Sequence, residues 1–195
     1  MSRPPASVEL LVALKKILSP RRIRWYLFGA QAAIIYGSAR VTMDVDVTIS
    51  VANERIGPLV TALLKGGFAS RTQDLDAFIA RSRVIPLFHK RNRMPLDLVV
   101  ARDSLEAVFL ARARPLDIGG VTIPVISAED LIVAKLFAGR PRDIEDVRAV
   151  IGAVGSGMDL RHIRTLLGQL DEAEDRADLL PALELGLEPR GFGLQ

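Results

Sequence analysis

Asp44 and Asp46 stand one residue apart in the run "RVTMDVDVTIS", with Val45 and Val47 between and after them. In an extended chain alternate side chains share a face, so the two carboxylates point one way and the two valines the other. Side by side on a half-buried strand, such carboxylates repel and lose hydration. A divalent cation relieves both, and hard cations such as Mg²⁺ take oxygen ligands. A bare D-x-D also occurs by chance on a solvated strand face. A two-metal site for phosphoryl transfer wants a third carboxylate from a neighbouring strand. Asp97 in "PLDLVV" supplies one, inside an otherwise apolar strand with no cation beside it in sequence. Two other aspartate motifs compete. Asp74 and Asp76 in "QDLDAF" read as a helix start, where carboxylates cap free N–H groups. Asp117 in "PLDIGG" sits beside a hairpin turn and reads as exposed.

Upstream, Gly29 ends one strand and opens a short helix of small residues with Ala30. Free N–H groups at such a helix start suit a phosphate, and glycine allows close approach. An ordinary strand–turn–helix connection has the same appearance. Downstream, Lys135 interrupts the apolar helical run "LIVAKLFA", either reaching a triphosphate or acceptor or snorkelling to the surface. Asp143 and Asp146, three apart, share a helix face and either pair with Lys135 and Arg140 or start and solvate the next helix. Arg40 and Thr42, just before the D-x-D, either reach substrate phosphate or brace the loop. Arg81, Arg83, Lys90, Arg91 and Arg93 form a basic run with no acid among them, read as a grip on an RNA backbone or as a solvated hairpin tip. His89 within it reads as a bystander.

The elements that must position these groups follow from periodicity and breakers. Helical spacing spans Val8–Leu18. Strands are expected at Ile23–Phe28, Val45–Val51, Val84–His89 and Leu96–Ala101, with Pro86 pointing to an edge strand or a bulge. Helices are expected at Ala30–Tyr36, Ile56–Lys65 and Ser104–Arg112, with one short helical turn over Asp74–Ser82. "LDIGGVTIPVI" predicts a hairpin turning at Gly119-Gly120. A helix opened by Ser127 runs to Ala138, Gly139-Arg140-Pro141 breaks it, and a second helix covers Asp143–Ile151. "GAVGSGMD" reads as a linker with Asp159 as the next N-cap, and the remaining helix is interrupted near Pro181. The expected fold class is α+β: an α/β core over residues 1–125 and a C-terminal helical region over 126–195 packed on that core.

Composition bounds the chemistry. The chain has 195 residues, 49% of them hydrophobic, which suffices for a globular core. There is no cysteine, and the only histidines are two, His89 and His162, so thiolate chemistry, a His-based triad and a zinc site are disfavoured. Absence of cysteine fits a reducing cytoplasm, the expected location. No apolar run reaches the ~18–20 residues of a membrane helix. The opening segment is broken by Glu9, Lys15 and Lys16 and is not read as a signal peptide. The net charge of +3, carried mostly by arginine, suits a polyanionic partner or a soluble basic surface.

Taken together, the pattern hG-A-x-A…G-x-x-R-x-T-x-D-V-D from Phe28 to Asp46, then "PLDLVV", then "SAEDLIVAKLFAGRPRDIEDV", resembles the polymerase-beta-type nucleotidyltransferase superfamily. Within it the chain is most similar to the AbiEii-like nucleotidyltransferases, the toxin side of certain bacterial toxin–antitoxin pairs, and their relatives. The resemblance covers about Ile23 to Ile151. It implies a mixed twisted sheet with helices packed on it, and two Mg²⁺ ions (or Mn²⁺) held by Asp44, Asp46 and Asp97. It further implies that Asp44 and Asp46 carry an NTP such as ATP and that Asp97 helps deprotonate the acceptor hydroxyl. Gly29 and Ala30 would form the phosphate turn, with Arg40, Thr42, Arg140 and Asp143 as further nucleotide-binding candidates and Lys135 at the catalytic centre. The superfamily usually shows Gly-Ser or Gly-Gly at this turn. Gly-Ala keeps the N–H donor and lacks the hydroxyl.

The leading expectation is an Mg²⁺-dependent enzyme moving an NMP from an NTP to an acceptor hydroxyl, with tRNA or another RNA as acceptor and an antitoxin as protein partner. The alternatives are a non-catalytic binding module of the same fold acting with a partner protein, or a transferase acting on a small molecule or a protein hydroxyl. An aminoglycoside-modifying enzyme would want an acidic pocket, and the basic surroundings speak against it. No membrane partner is expected.

Overall fold

The computed structural model describes residues 4–102 and 105–188. Two compact units emerge, Met1–Ala32 with Val41–Ser127 and Ala33–Arg40 with Ala128–Gln195.

The first unit is built on a mixed sheet. Its strands are β1 (Arg24–Phe28), β2 (Val45–Ser50), β3 (Phe68–Ser70), β4 (Val84–His89), β5 (Pro95–Val100), β6 (Arg114–Asp117) and β7 (Thr122–Val125). Their order across the sheet is β3-β4-β5-β2-β1-β7-β6. β1 runs antiparallel to β2, while β2–β5 and β1–β7 are parallel. β-Branched and leucine side chains fill the inner face: Val45, Val47, Ile49, Leu96 and Leu98 are fully buried. Helices α1 (Ala6–Leu18), α3 (Ile56–Lys65), α4 (Leu75–Ser82) and α5 (Leu105–Arg112) belong to this unit, with α3 against β3, α4 against β4 and α5 against β1 and β2. Asp74 caps α4 by accepting from the Ala77 N–H at 3.0 Å, and Asp117 braces the β6–β7 turn by accepting from Gly120 N–H at 3.0 Å. Both competing aspartate motifs are therefore occupied by local backbone.

α2 (Gly29–Ile35) leaves β1 and carries the chain into the second unit. It closes at Gly37, whose φ of 104° needs glycine, with Ser38 N–H returning to Ala33 O at 2.8 Å. The rest of that unit is helical: α6 (Ala128–Ala138), α7 (Pro141–Val154), α8 (Leu160–Ala173) and α9 (Leu179–Leu187) pack on one another. Asp159 caps α8 through the His162 N–H at 3.0 Å. Among the described residues no helix is long and apolar enough to cross a membrane.

Several expectations are corrected here. β4 is an interior strand despite Pro86. A strand residue's N and C=O point to the same neighbour, and the Pro86 carbonyl accepts from Arg71 N–H, one residue beyond the end of β3. The missing donor thus falls where the short partner strand has already ended. β3 itself, three residues long, is not anticipated by periodicity. α4 is eight residues rather than one turn. Pro141 starts α7 at its first turn rather than only breaking α6. α7 also runs on through the first three residues of the glycine-rich segment, to Val154. Pro181 lies in the first turns of α9, and the interruption falls before Leu179. Ser104, the expected start of α5, lies outside the described residues.

Candidate active site

The carboxylates of the first unit are set by register. Asp46 in β2 is the partner of Asp97 in the parallel neighbour β5, and of Phe28 in the antiparallel neighbour β1. Asp97 is in turn the partner of Pro86 in β4. One row across the sheet therefore reads Phe28, Asp46, Asp97, Pro86. Side chains in one row project from the same face, so Asp46 and Asp97 are neighbours, about 4.8 Å apart at the backbone. Both are half-buried, whereas the residues alternating with them, Val45, Val47, Leu96 and Leu98, are fully buried. Asp44 lies just before β2 and continues the alternation. Its carboxylate accepts from the Thr42 hydroxyl, and its carbonyl accepts from Gln31 Nε2 at 3.4 Å.

Gly29 stands against Asp46. Its φ is 67°, and a Cβ there would lie 2.9 Å from the Asp46 carboxyl carbon and 3.1 Å from Asp46 Cβ. Only a residue without a side chain leaves room for that carboxylate. Ala30 next to it is buried.

Asp97 carries an ion pair that its local sequence does not announce: Arg71 Nη2 donates to Asp97 Oδ1. The two side chains are 35% and 31% exposed, so the pair opens to solvent. Arg71 precedes Asp97 by 26 residues. Its only sequence signal is its place after Phe68-Ala-Ser, too short a segment to read as a strand.

The donor set of Asp44, Asp46 and Asp97 has the chemistry of a hard-cation site: carboxylate oxygens, partly solvated, two of them register neighbours. Among the described residues no three acidic, histidine or cysteine side chains converge closely enough to hold a metal ion as they stand. Asp44 is held by Thr42 and Asp97 by Arg71, and Asp46 is engaged as well. The residues fit the cation in type and sheet face.

In the second unit, Lys135 is 6% exposed and donates to Asp143 Oδ1 at 3.0 Å and Asp146 Oδ2 at 2.6 Å. Asp146 also accepts from Ser38 Oγ and from Arg40 Nη1, each at 2.7 Å. Burial pushes the Asp146 carboxyl up, but its bonds to Lys135, Ser38 and Arg40 outweigh that and leave its pKa below the usual value. The cation that shares Asp146 with Lys135 is Arg40, not the Arg140 expected from sequence, which lies exposed as the N-cap of α7. Ser38 is a member that sequence reasoning did not single out. The network ties the segment after α2 to α7 through Ser38 and Arg40. His162 Nε2 and Asp130 Oδ1, 2.7 Å apart, link α8 to α6.

The basic run divides. Arg83, left-handed at φ 57°, spends its guanidinium on the carbonyls of Val100 and Ala101. Arg81 lies in the last turn of α4, and both precede β4. Lys90, Arg91 and Arg93 lie exposed in the β4–β5 turn, at the other end of the strand about 17–20 Å away. Arg93 stacks 3.8 Å over the Phe88 ring, and His89 is buried with its Nδ1 3.0 Å from Asn92 Oδ1.

Comparison with known proteins bears on the fold and the family. An antigenic nucleotidyltransferase-like protein from Paracoccidioides brasiliensis has a similar fold at TM-score 0.55 and 21% identity, covering 90% of this chain and 91% of that one. The antibiotic-resistance factor ANT(2″)-Ia is similar at TM-score 0.58 and 15% identity, over 87% of this chain and 95% of that one. The same enzyme in complex with adenylyl-2″-tobramycin gives TM-score 0.55 at 18% identity, over 83% and 97%. No curated protein matches the sequence. The fold is the mixed α+β fold of polymerase-beta-type nucleotidyltransferases. Residues 9–179 match the family described as nucleotidyltransferase of unknown function (DUF6036), and the chain belongs to that family.

Proposed function

We propose that this protein transfers a nucleoside monophosphate from an NTP to an acceptor hydroxyl with the help of Mg²⁺ or Mn²⁺. The observation that carries this reading is that Asp46 stands against Gly29 at the β1–α2 turn and is the register partner of Asp97. Asp44, Asp46 and Asp97 would hold the cation, which when bound places positive charge on the attacking and leaving oxygens. Gly29 leaves the β1–α2 turn open for the triphosphate beside Asp46. Asp97 orients the acceptor hydroxyl and takes its proton as the new O–P bond forms at the α-phosphate and the bond to the leaving pyrophosphate breaks. Thr42 fixes the Asp44 carboxylate. Ser38, Arg40, Asp143, Asp146 and Lys135 form the internal ion-pair network of the second unit, where Arg140 lies exposed.

The exposed cations Lys90, Arg91 and Arg93 support an anionic acceptor, and an RNA end carries both the charge and the hydroxyl. A toxin role with an antitoxin partner, as in AbiEii-like proteins, is the biological form of this reading. Incubation with each labelled NTP and total RNA, with and without Mg²⁺, tests it. Label should enter RNA only with Mg²⁺, and Asp97→Asn should lower the rate about 10²–10⁴-fold. Labelling unaffected by Asp46→Asn or Asp97→Asn would overturn it.

A second reading is favoured by the engagement of Asp44 by Thr42 and of Asp97 by Arg71. In it the fold is kept as a binding module acting with a partner protein. Calorimetry showing no Mg²⁺-dependent NTP binding would select it.

A further inference from the structure

Arg71 is placed with the same register logic as the carboxylates. Its N–H bonds Pro86 O at 2.9 Å, and Pro86 is the register partner of Asp97. Arg71 thus extends the row Phe28, Asp46, Asp97, Pro86 by one more strand. From two strands away, about 10 Å at the backbone, an arginine side chain lying along the sheet face spans the distance to the carboxylate. Arg71 Nη2 meets Asp97 Oδ1 there. Pro86 between them has no long side chain to block the path. The partner is a guanidinium, which keeps its charge at any working pH and binds a carboxylate oxygen in a fixed direction. The pair is partly solvated, unlike the sealed Lys135 pairs, so it can part without stranding a buried charge.

We infer that Arg71 is a positioning residue that holds Asp97 as a resident counter-ion and competes with a divalent cation for that carboxylate. The inference rests on the reading of Asp97 as a cation-holding group. It adds that cation affinity at this site is set by the exchange of Arg71 for the ion. With Arg71 in place Asp97 is neutralised and turned along the sheet towards β3. Released from it, Asp97 faces Asp46, its neighbour in the row. A negatively charged substrate that draws the guanidinium away therefore strengthens cation binding, which couples arrival of the polyanion to completion of the site.

The test is Mn²⁺ binding to the full chain without nucleotide, followed by calorimetry and by loss of the free-ion paramagnetic resonance signal. Arg71→Gln removes the competitor and is expected to tighten Mn²⁺ binding about three- to fivefold, the weight of a partly exposed ion pair. Arg71→Lys, which keeps the charge, should stay near wild type. In an Asp97→Asn background Arg71→Gln should change nothing. The gain should shrink at high salt. Near-ultraviolet circular dichroism checks that each variant is folded. Unchanged or weaker binding in Arg71→Gln, or the same gain without Asp97, overturns the inference. If Asp97→Asn weakens Mn²⁺ binding in wild type while Arg71→Gln does not tighten it, the inference fails and the metal reading stands. If none of the proteins binds Mn²⁺, both fail. Binding by Arg71→Gln alone supports both.

Discussion

Replacing Gly29 with alanine tests the arrangement at its tightest point. The backbone there has φ 67°, and the added Cβ would overlap Asp46 Oδ2 and lie 2.9 Å from Asp46 Cγ. Two costs follow. A left-handed conformation costs an L-residue about 1–2 kcal/mol. Moving the Asp46 carboxylate off its rotamer costs about 0.5–1.5 kcal/mol more. The sum is roughly 1.5–3.5 kcal/mol. The first cost is a property of the backbone, whereas most of the second exists only while Asp46 has its carboxylate, since Asp46→Ala keeps just the 3.1 Å approach to Cβ. In an Asp46→Ala background, Gly29→Ala should therefore cost only about 1–2 kcal/mol. Urea unfolding read by fluorescence suits the measurement, because Trp25, the chain's one tryptophan, is 7% exposed in β1, four residues before the turn. Nucleotidyl transfer should fall about 10²-fold in the single variant, the effect of an ångström's displacement of a reacting group. A loss below about 1 kcal/mol, or equal losses in both backgrounds, would refute the placement of Asp46 against the turn.

Two further outcomes concern the second unit. Lys135→Met removes the lysine from two buried carboxylates: Asp146 keeps Arg40, whereas Asp143, whose Oδ2 already has no partner, loses its ion pair. The expected loss is about 3–5 kcal/mol, read by urea unfolding at 222 nm, and a loss below about 1 kcal/mol would show that the network is not sealed. For Asp146 the folded pKa lies below the reference of 3.8, so as pH falls the unfolded chain takes up the proton first. The stability it contributes is present above the ordinary carboxylate range and disappears as pH drops through the folded value. The gap between wild type and Asp146→Asn should hold from about pH 7 to pH 5 and narrow below about pH 4. A gap that widens towards acid would contradict the sign.

Much of this protein was legible one segment at a time. β4 runs over the residues that its apolar pattern predicted, Val84–His89, and α3 over Ile56–Lys65. The hairpin at Gly119-Gly120 and the caps at Asp74 and Asp159 were also read correctly, because local spacing and local hydrogen bonds decide them. The suspicion that Asp44, Asp46 and Asp97 are chemically special came from charge placed in apolar strands, which a sequence displays directly. What it does not display is register. Only the sheet makes Asp46 and Asp97 partners, puts Pro86 in an interior strand, and gives three-residue β3 enough pairing to exist. Only the helical unit chooses Arg40 over Arg140 for Asp146, since the nearer cation in sequence projects to solvent. Arg71 is the clearest case. Its identity was visible from the start, but its partner lies 26 residues away across two strands, and that meeting follows from hydrogen-bond register rather than from any periodicity. Residue type and short-range spacing determined which groups are available for chemistry. The long-range pairing of strands decided which of them meet.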